Sequence, residues 1–291
     1  MQKSKAKKRN KLVAVLPELI FTLAFLVGAI VLLYPEVSDW ANRIKNANLI
    51  GSYDKATDEY TESQFQDMWD AAVDYNNRLS TGYIDTSGDQ VDPEYYNLLN
   101  IDGAMGYIQI PKISVRLEIF HGLGEDELKE GVGHMYGSSL PVGGVGTHAV
   151  LAAHRGLPSA KLFSDLDDLV IGDVFLVTIL DKTLVYQVSD INVVLPEEDQ
   201  YLNVQEGRDI ITLVTCTPYG VNTHRLLVTG TRVDDTTAVE IPQTIISTAP
   251  SAKLVIGGIA AVAILSVMTT VTVKRIRKVY RKKQKGESAN A

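Results

Sequence analysis

Cysteine is nearly absent from this sequence: its 291 residues include only one, Cys216. A single cysteine excludes an intramolecular disulfide and every zinc site built from several cysteines. The composition, with 45% hydrophobic and 22% charged residues, also excludes collagen-like and wholly disordered chains. The length leaves room for one or two domains with a buried core.

Motifs that bind metals or phosphate groups are absent too. The five histidines show neither an H-x-x-x-H nor an H-E-x-x-H spacing. No G-x-G-x-x-G or P-loop pattern occurs, since the glycine-rich run 143–146 lacks the lysine and the following helix. Asn222 stands where a C-x5-R phosphatase loop needs its arginine. We therefore expect no metal site and no cofactor.

Charge is distributed unevenly along the chain. Residues 1–11 contain six lysines and arginines and no acid, and residues 274–291 contain eight against one acid. The segment between the apolar runs, 34–253, has 33 acidic and 14 basic residues, a net charge of −19. Such a body lacks the positive surface that phosphate contacts require, so we expect no nucleic-acid partner.

Two long apolar runs lie next to the basic clusters. Residues 12–33 are interrupted only by Pro17 and Glu18, and residues 254–273 contain no charge. At 1.5 Å per residue, each run can cross a hydrocarbon core of about 30 Å as a transmembrane helix. We interpret the first run as an uncleaved signal anchor. The alternative is a cleavable signal peptide, although the run is long for one and no clear cleavage site follows it.

The basic clusters flank both apolar runs on their outer ends. By the positive-inside rule, residues 1–11 and 274–291 are cytoplasmic tails, and residues 34–253 lie on the outer side of the cell membrane. Nucleic-acid binding by the tails is the alternative. Their position beside the spans favours a role in orientation and in contact with anionic lipids.

The segment between the spans divides by its residue pattern. Residues 34–80 predict a helical extension with a T-x-x-Q capping box at 61–64, and residues 81–103 predict a long loop rich in Gly, Ser and Asp. Seven short β-rich runs in 104–233 predict a closed β-barrel or a sandwich, and the Thr/Pro-rich residues 234–253 predict a linker. The runs are 106–110, 115–120, 148–153, 174–179, 184–194, 210–215 and 226–233.

Cys216 ends one β-rich run, and Arg225 opens the next. If the two runs are antiparallel neighbours, these residues lie opposite each other, with about 5 Å between the backbones. A permanent cation at that place would favour the thiolate and could donate to a developing oxyanion. The alternative is a buried, inert cysteine beside a surface arginine.

Catalysis by a cysteine usually also needs a proton carrier. His154 follows the apolar run 149–153 and precedes a turn, which places it at a strand end. His121, His134 and His148 lie among glycines and turns, and His224 has no apolar neighbourhood. A structural role is the alternative for each of these histidines.

Several segments occur in a distinctive order. They include T-L-V-T-C at 212–216 with Arg225 nine residues beyond the cysteine, A-A-H-R-G-L-P-S-A-K-L-F at 152–163, and G-V-G-H-M-Y-G-S-S-L-P-V-G-G at 131–144. Together they resemble the sortases, and more narrowly the class C sortases, the pilin polymerases of Gram-positive bacteria. The resemblance extends over about residues 60–233.

The resemblance implies a mainly β fold, an eight-stranded barrel with an N-terminal helical extension. It implies a cysteine transpeptidase that cleaves LPxTG-like sorting signals between Thr and Gly. By motif match, Cys216 would attack the carbonyl, His154 would protonate the departing amine, and Arg225 would hold the substrate and the oxyanion. A lysine amine of another pilin subunit would then resolve the thioacyl enzyme.

Class C sortases typically carry a lid before the barrel, with an Asp-Pro-aromatic motif whose Asp contacts the active-site Arg. This chain has Asp92-Pro93 followed by Glu94 in place of the aromatic residue, and Asp85 nearer the usual lid position. The resemblance therefore implies a lid in 81–103, held by Asp85 or by Asp92 with Pro93. The alternative is a loop that gates nothing.

Two other functions remain open from the sequence. One is a sortase that anchors surface proteins to cell-wall peptide instead of joining pilins. The other is a membrane-tethered adhesin that uses the β-domain only for binding. The second apolar run, the helical extension and the H-R-G-L-P-S-A-K run favour the pilin polymerase.

Overall fold

The structure, a computed structural model, describes residues 2–82, 84, 91–233 and 249–288. It contains two compact units, residues 1–40 with 249–291 and residues 41–248. Most of the predicted linker, residues 234–248, lies outside the described residues.

The smaller unit contains the first part of α1, Gln2–Thr57, and the helix α4, Ala252–Ser288. Both are long and apolar enough to cross a membrane. Within this unit Ser251 donates a hydrogen bond of 2.7 Å to Glu36, and Glu18 forms an ion pair with Arg275. A carboxylate in an apolar run is costly unless it is paired, so the contact with Arg275 accounts for Glu18.

Two helices form the predicted helical extension: the end of α1, up to Thr57, and the whole of α2, Glu62–Ser80. The helix does not break after the apolar run, since α1 continues to Thr57 with Pro17 and Pro35 inside it. The capping box is confirmed: the Thr61 side chain accepts the Gln64 N–H, and the Gln64 side chain accepts the Thr61 N–H.

Eight strands close into a β-barrel, as the resemblance implied. The order around the barrel is β1-β2-β3-β4-β7-β8-β6-β5. Pairs β2–β3 and β4–β7 are parallel, and all other pairs are antiparallel. The strands are β1 Ala104–Ile110, β2 Val115–His121, β3 Val132–His134, β4 Thr147–Ala152, β5 Val174–Ile179, β6 Lys182–Val194, β7 Asp209–Thr217 and β8 His224–Arg232. A short helix, α3 Glu125–Glu130, precedes β3.

Seven of these strands overlap the predicted runs, and β3 is the one that the sequence pattern missed. It contains three residues with a glycine in the middle, Val132-Gly133-His134. Glycine weakens a strand pattern, and three residues are too few to show alternation.

The barrel interior is apolar, and buried hydrogen bonds attach the helices to its outside. The Tyr53 hydroxyl of α1 donates to Met105 O (3.0 Å) and accepts from Leu180 N–H (2.9 Å). The Asn76 side chain of α2 donates to Leu140 O (3.0 Å) and accepts the Leu140 N–H (2.7 Å). Such buried, satisfied polar contacts fix where the helices sit on the barrel wall.

Candidate active site

Cys216 and Arg225 are direct cross-strand partners on β7 and β8. The antiparallel placement predicted from their spacing is therefore confirmed. On the other side of β7, the parallel strand β4 pairs Ala152 with Val214. His154 and Cys216 each stand two residues beyond that pair, so they lie at the same level of the barrel wall.

The hydrogen-bond ladder continues past the end of β4 and holds the backbone before His154. Ala153 N–H donates to Val214 O (3.1 Å), and the Thr215 hydroxyl donates to Ala153 O (2.8 Å). The His154 carbonyl accepts the Phe163 N–H at 3.1 Å. His154, Cys216 and Arg225 thus form one row across three adjacent strands, which lie about 4.8 Å apart.

The alternation of side chains places this row on the outer wall of the barrel. Ile211 and Leu213 of β7 point into the main core. Because side chains alternate along a strand, Val214 and Cys216 point outward. Val214 joins a second apolar cluster, separate from the main core. That cluster consists of Val150, Val194, Val214 and Leu227, with Met135, Ala152 and Leu202 packed against it.

The row of His154, Cys216 and Arg225 therefore lies beside a small buried apolar cluster. Cys216, His154 and Arg225 are each half-buried, so they are supported by packing and still reachable. The Arg225 Nη1 group donates to His224 O (3.2 Å) and weakly to Asn222 O (3.4 Å). Among the described residues nothing accepts from its Nε or Nη2 groups, which leaves them available to a bound carbonyl or oxyanion.

A buried histidine fixes the connection between β6 and β7 next to this cluster. His148 lies between Asn203 O, 2.8 Å from Nδ1, and the Thr212 hydroxyl, 2.7 Å from Nε2. Because a carbonyl only accepts, Nδ1 carries the proton and Nε2 accepts from Thr212. The Thr229 hydroxyl lies 2.8 Å from the Thr212 hydroxyl and extends this series of hydrogen bonds. Burial lowers the pKa of His148, so the ring is neutral and structural.

His134 and His121 are structural as well. Tyr95 Oη lies 2.9 Å from His134 Nδ1, and His134 Nε2 lies 2.8 Å from Ser139 O. Burial lowers the pKa of His134 to about 4. His121 Nε2 donates to Leu98 O at 2.7 Å, and burial lowers its pKa too. These contacts hold segment 95–98 against β2 and β3.

His224 is half-buried at the start of β8, opposite Thr217. Its Nδ1 lies 2.9 Å from the Thr223 hydroxyl. Of the five histidines, His154 is the one that combines a strand-end position, partial exposure and the level of Cys216.

Arg155, the residue after His154, is a site residue that the reasoning from the sequence missed. Its side chain is 7% exposed, and it donates to the Thr217 hydroxyl at 3.1 Å and forms an ion pair with Asp167. It therefore connects the strand end that carries His154 to the one that carries Cys216. Arg155 is part of the A-A-H-R-G segment, but its contact with Thr217 becomes visible only from the pairing of β4 with β7.

Tyr219 covers this connection from the β7–β8 turn. The Arg155 guanidinium lies 5.9 Å from the centre of the Tyr219 ring. A side chain at Gly156 would meet the same ring at 3.3 Å, and its φ of +79° favours glycine. The glycine thus permits the close approach of Tyr219 to the end of β4.

The lid candidates are placed only in part. Asp85 lies outside the described residues. The Asp92 carboxylate accepts the Glu94 N–H at 2.9 Å, and Pro93 follows it at the start of a turn. Glu94, which replaces the aromatic residue of the motif, forms an ion pair with Arg78 of α2 at 2.6 Å. A gating role for the loop stays a prediction.

Within the described residues, no group of three or more His, Cys, Asp or Glu side chains could hold a metal ion. The candidate site consists of a thiol, an imidazole and a guanidinium. Such a set suits nucleophilic attack with proton transfer and oxyanion stabilisation.

The chain is similar to known proteins. The family model described as Sortase domain matches residues 108–233. The crystal structure of sortase C1 from Streptococcus agalactiae is 45% identical, with 64% of this chain and 98% of that chain covered and a TM-score of 0.61. The structure of Clostridium perfringens sortase C with the C-terminal cell wall sorting motif is 43% identical, with 65% and 99% covered and a TM-score of 0.58.

A curated relative, sortase A of Streptococcus agalactiae, is 35% identical over 116 residues, which are 39% of this chain and 47% of that protein. The chain thus spans about half the length of this curated relative. It nevertheless covers the solved structures almost completely. The chain belongs to the sortase family, and its structural neighbours are class C sortases.

Proposed function

We propose that this chain is a membrane-anchored cysteine transpeptidase that cleaves LPxTG-like sorting signals between Thr and Gly and joins pilin subunits through a lysine amine. The observation that carries this proposal is the row of His154, Cys216 and Arg225 on the outer wall of the barrel. The neighbouring class C sortases support it, and one of them was solved with a cell wall sorting motif.

In the proposed reaction, the Cys216 thiolate attacks the Thr–Gly carbonyl from the end of β7. Arg225 donates to the oxyanion, and His154 gives a proton to the departing glycine amine. The C–N bond breaks, and the product that remains is a thioester between Cys216 and the Thr carbonyl. A lysine amine then attacks this thioester, His154 takes up its proton, and the thiolate leaves.

Val214 and its neighbours form a buried apolar cluster that supports the part of the barrel wall carrying Cys216. It lies next to Cys216, and the β6–β7 connection held by His148 borders it. Arg155 holds the ends of β4 and β7 together beneath the reacting groups. We infer that the sorting signal binds on the barrel wall next to Cys216, which this buried cluster supports.

The two apolar helices, one before and one after the barrel in the chain, support membrane anchoring. With the lysines and arginines at both ends of the chain, we propose that both termini are cytoplasmic and the barrel is extracytoplasmic. An extracytoplasmic barrel would meet surface proteins after their export.

The proposal is tested by offering two acceptors to the full-length enzyme in detergent micelles. An LPxTG peptide is incubated with a lysine-containing pilin peptide or with a peptidoglycan stem peptide, and the products are identified by mass spectrometry. We expect an isopeptide with the pilin lysine and none with Cys216→Ala. Ligation to the stem peptide alone would assign cell-wall anchoring instead.

A further inference from the structure

A cavity of about 400 Å³ lies on the outer face of β2, away from the proposed catalytic row. Two side chains of β2, Glu118 and Phe120, line it, and Leu49 of α1 and Ile101 contribute apolar walls. In the barrel order, β3 and β4 separate β2 from β7. The cavity is therefore distinct from the surface next to Cys216.

Glu118 is the unusual member of this cavity. Leu117 and Ile119 on either side of it point into the barrel core, so Glu118 points outward beneath α1. Its side chain is 7% exposed, and among the described residues no donor forms a hydrogen bond or ion pair with its carboxylate. Burying a carboxylate without a partner is unfavourable, so this group favours a cationic ligand.

The other charged groups around the cavity leave an excess of negative charge. Lys45 of α1 forms an ion pair with Glu130, the last residue of α3, and Asp102 adds a third carboxylate. Three carboxylates therefore face one ammonium group. Burial first, and then the Glu130 carboxylate, raise the pKa of Glu118 to about 7, although Lys45 acts in the opposite direction.

The walls narrow the ligand class. Apolar side chains of Leu49, Phe120 and Ile101 suit an aliphatic chain, and the carboxylate suits its charged end. The described residues offer no group of three His, Cys, Asp or Glu side chains for a metal ion. A primary ammonium on a methylene chain fits both halves of the cavity.

We propose that this cavity binds a primary alkylammonium group, the chemistry of a lysine side chain on a partner polypeptide, with Glu118 as its counter-ion. The site does not depend on catalysis by Cys216. It would give the enzyme a second contact for a basic segment of a protein that it meets outside the membrane.

The proposal is tested with the full-length wild-type chain in maltoside micelles. The probe is Nα-acetyl-lysine methylamide, and its matched control is Nα-acetyl-norleucine methylamide, which has the methylenes without the charge. We expect saturable binding, followed by NMR, that is about 10-fold or more tighter for the lysine compound. Equal binding of the two compounds would overturn the proposal.

The pH dependence gives a second readout that needs no variant. The lysine ammonium stays charged up to pH 9, whereas Glu118 ionises near pH 7. The other groups facing Glu118 are Lys45, Asp102, Glu130 and the Tyr53 hydroxyl. Affinity should rise about 10-fold between pH 6 and pH 8, in step with ionisation of one carboxylate. An affinity that is constant over this range contradicts the proposal.

Two variants complete the test. Glu118→Gln keeps the shape and removes the charge, so it should weaken lysine binding about 10-fold or more and abolish the pH dependence. Lys45→Gln removes the resident ammonium and should leave binding equal or tighter. Cys216→Ala should bind like wild type, which separates this site from the proposed transpeptidation. Unchanged binding by Glu118→Gln would assign the lysine site elsewhere.

Discussion

At the scale of single residues, the proposed chemistry depends on three side chains with different roles. His154→Ala and Arg225→Ala should each lower kcat/KM for peptide transpeptidation at least ~100-fold, the usual effect of removing a positioned acid or an oxyanion donor. Arg225→Lys should also be poor, because a point charge cannot replace the guanidinium fork. Thermal melting should show that all three variants remain folded. Near-normal turnover by any of them would remove that residue's proposed role.

Ionisation of the single residue Glu118 should make the stability of the folded chain depend on pH. Its pKa is about 7 in the folded chain and near 4.5 in the unfolded chain, because burial disfavours the charged carboxylate. Because the pKa is raised on folding, the contribution of Glu118 to the free energy of unfolding is fully present below pH 4.5. It is lost as the pH rises through 7. Glu118→Gln should therefore raise the apparent Tm at pH 8 and leave it nearly unchanged at pH 4.5.

Melting curves of wild type and Glu118→Gln at the two pH values provide the measurement. Glu125→Gln is the matched control, because that carboxylate is exposed and paired with Lys129. If Glu118→Gln raised the Tm equally at both pH values, ionisation of Glu118 would not be the cause.

At the scale of elements, Arg155 links the ends of β4 and β7. Arg155→Ala would leave Asp167 without its ion pair and release the Thr217 contact. We expect kcat to fall at least ~10-fold with a smaller change in KM, since small displacements of reacting groups are costly. Arg155→Lys should recover part of kcat. Lys112→Ala, which removes an ion pair with Asp173 on the surface, serves as the control. A normal kcat in a folded Arg155→Ala enzyme would contradict this positioning role.

Local sequence signals predicted much of the fold and of the site. Seven strands could be predicted because apolar and β-branched residues cluster in them. The pairing of Cys216 with Arg225 could be predicted from the short turn between two such runs. The strand β3 could not be predicted, because three residues centred on Gly133 are too few to show the alternating pattern of a strand. The contact between Arg155 and Thr217, 62 residues apart in the chain, could not be predicted either, because it depends on the parallel pairing of β4 and β7.

The histidines show the same limit. Their spacing excluded common metal motifs, and the residue pattern together with the resemblance singled out His154, but the surroundings of the other four were not visible in the sequence. The structure adds these surroundings: His134 and His148 are fully enclosed and hydrogen-bonded on both ring nitrogens, whereas His154 and His224 are half-buried. His154 is the half-buried histidine that lies level with Cys216. Contacts such as Tyr95 to His134 join segments far apart in the chain, which periodicity cannot reveal.

At the scale of the whole molecule, we predict that the chain spans the membrane twice. In a Cys216→Ser background, Ser4→Cys and Ser288→Cys should be shielded from a membrane-impermeant maleimide on intact cells, and Thr236→Cys should react. Permeabilised cells provide the control for reactivity of the tail cysteines. Labelling of both tails on intact cells would contradict the proposed orientation.

The central claim is that Cys216 forms a thioester with a cleaved sorting signal. Full-length wild-type and Cys216→Ala proteins are each incubated with an LPxTG peptide without an amine acceptor, quenched in acid and weighed by intact-mass spectrometry. The account predicts an added mass equal to the peptide up to its Thr, mapped to Cys216 and absent from the variant. Absence of an adduct on the wild type while the peptide is cleaved, or an equal adduct on Cys216→Ala, would contradict it.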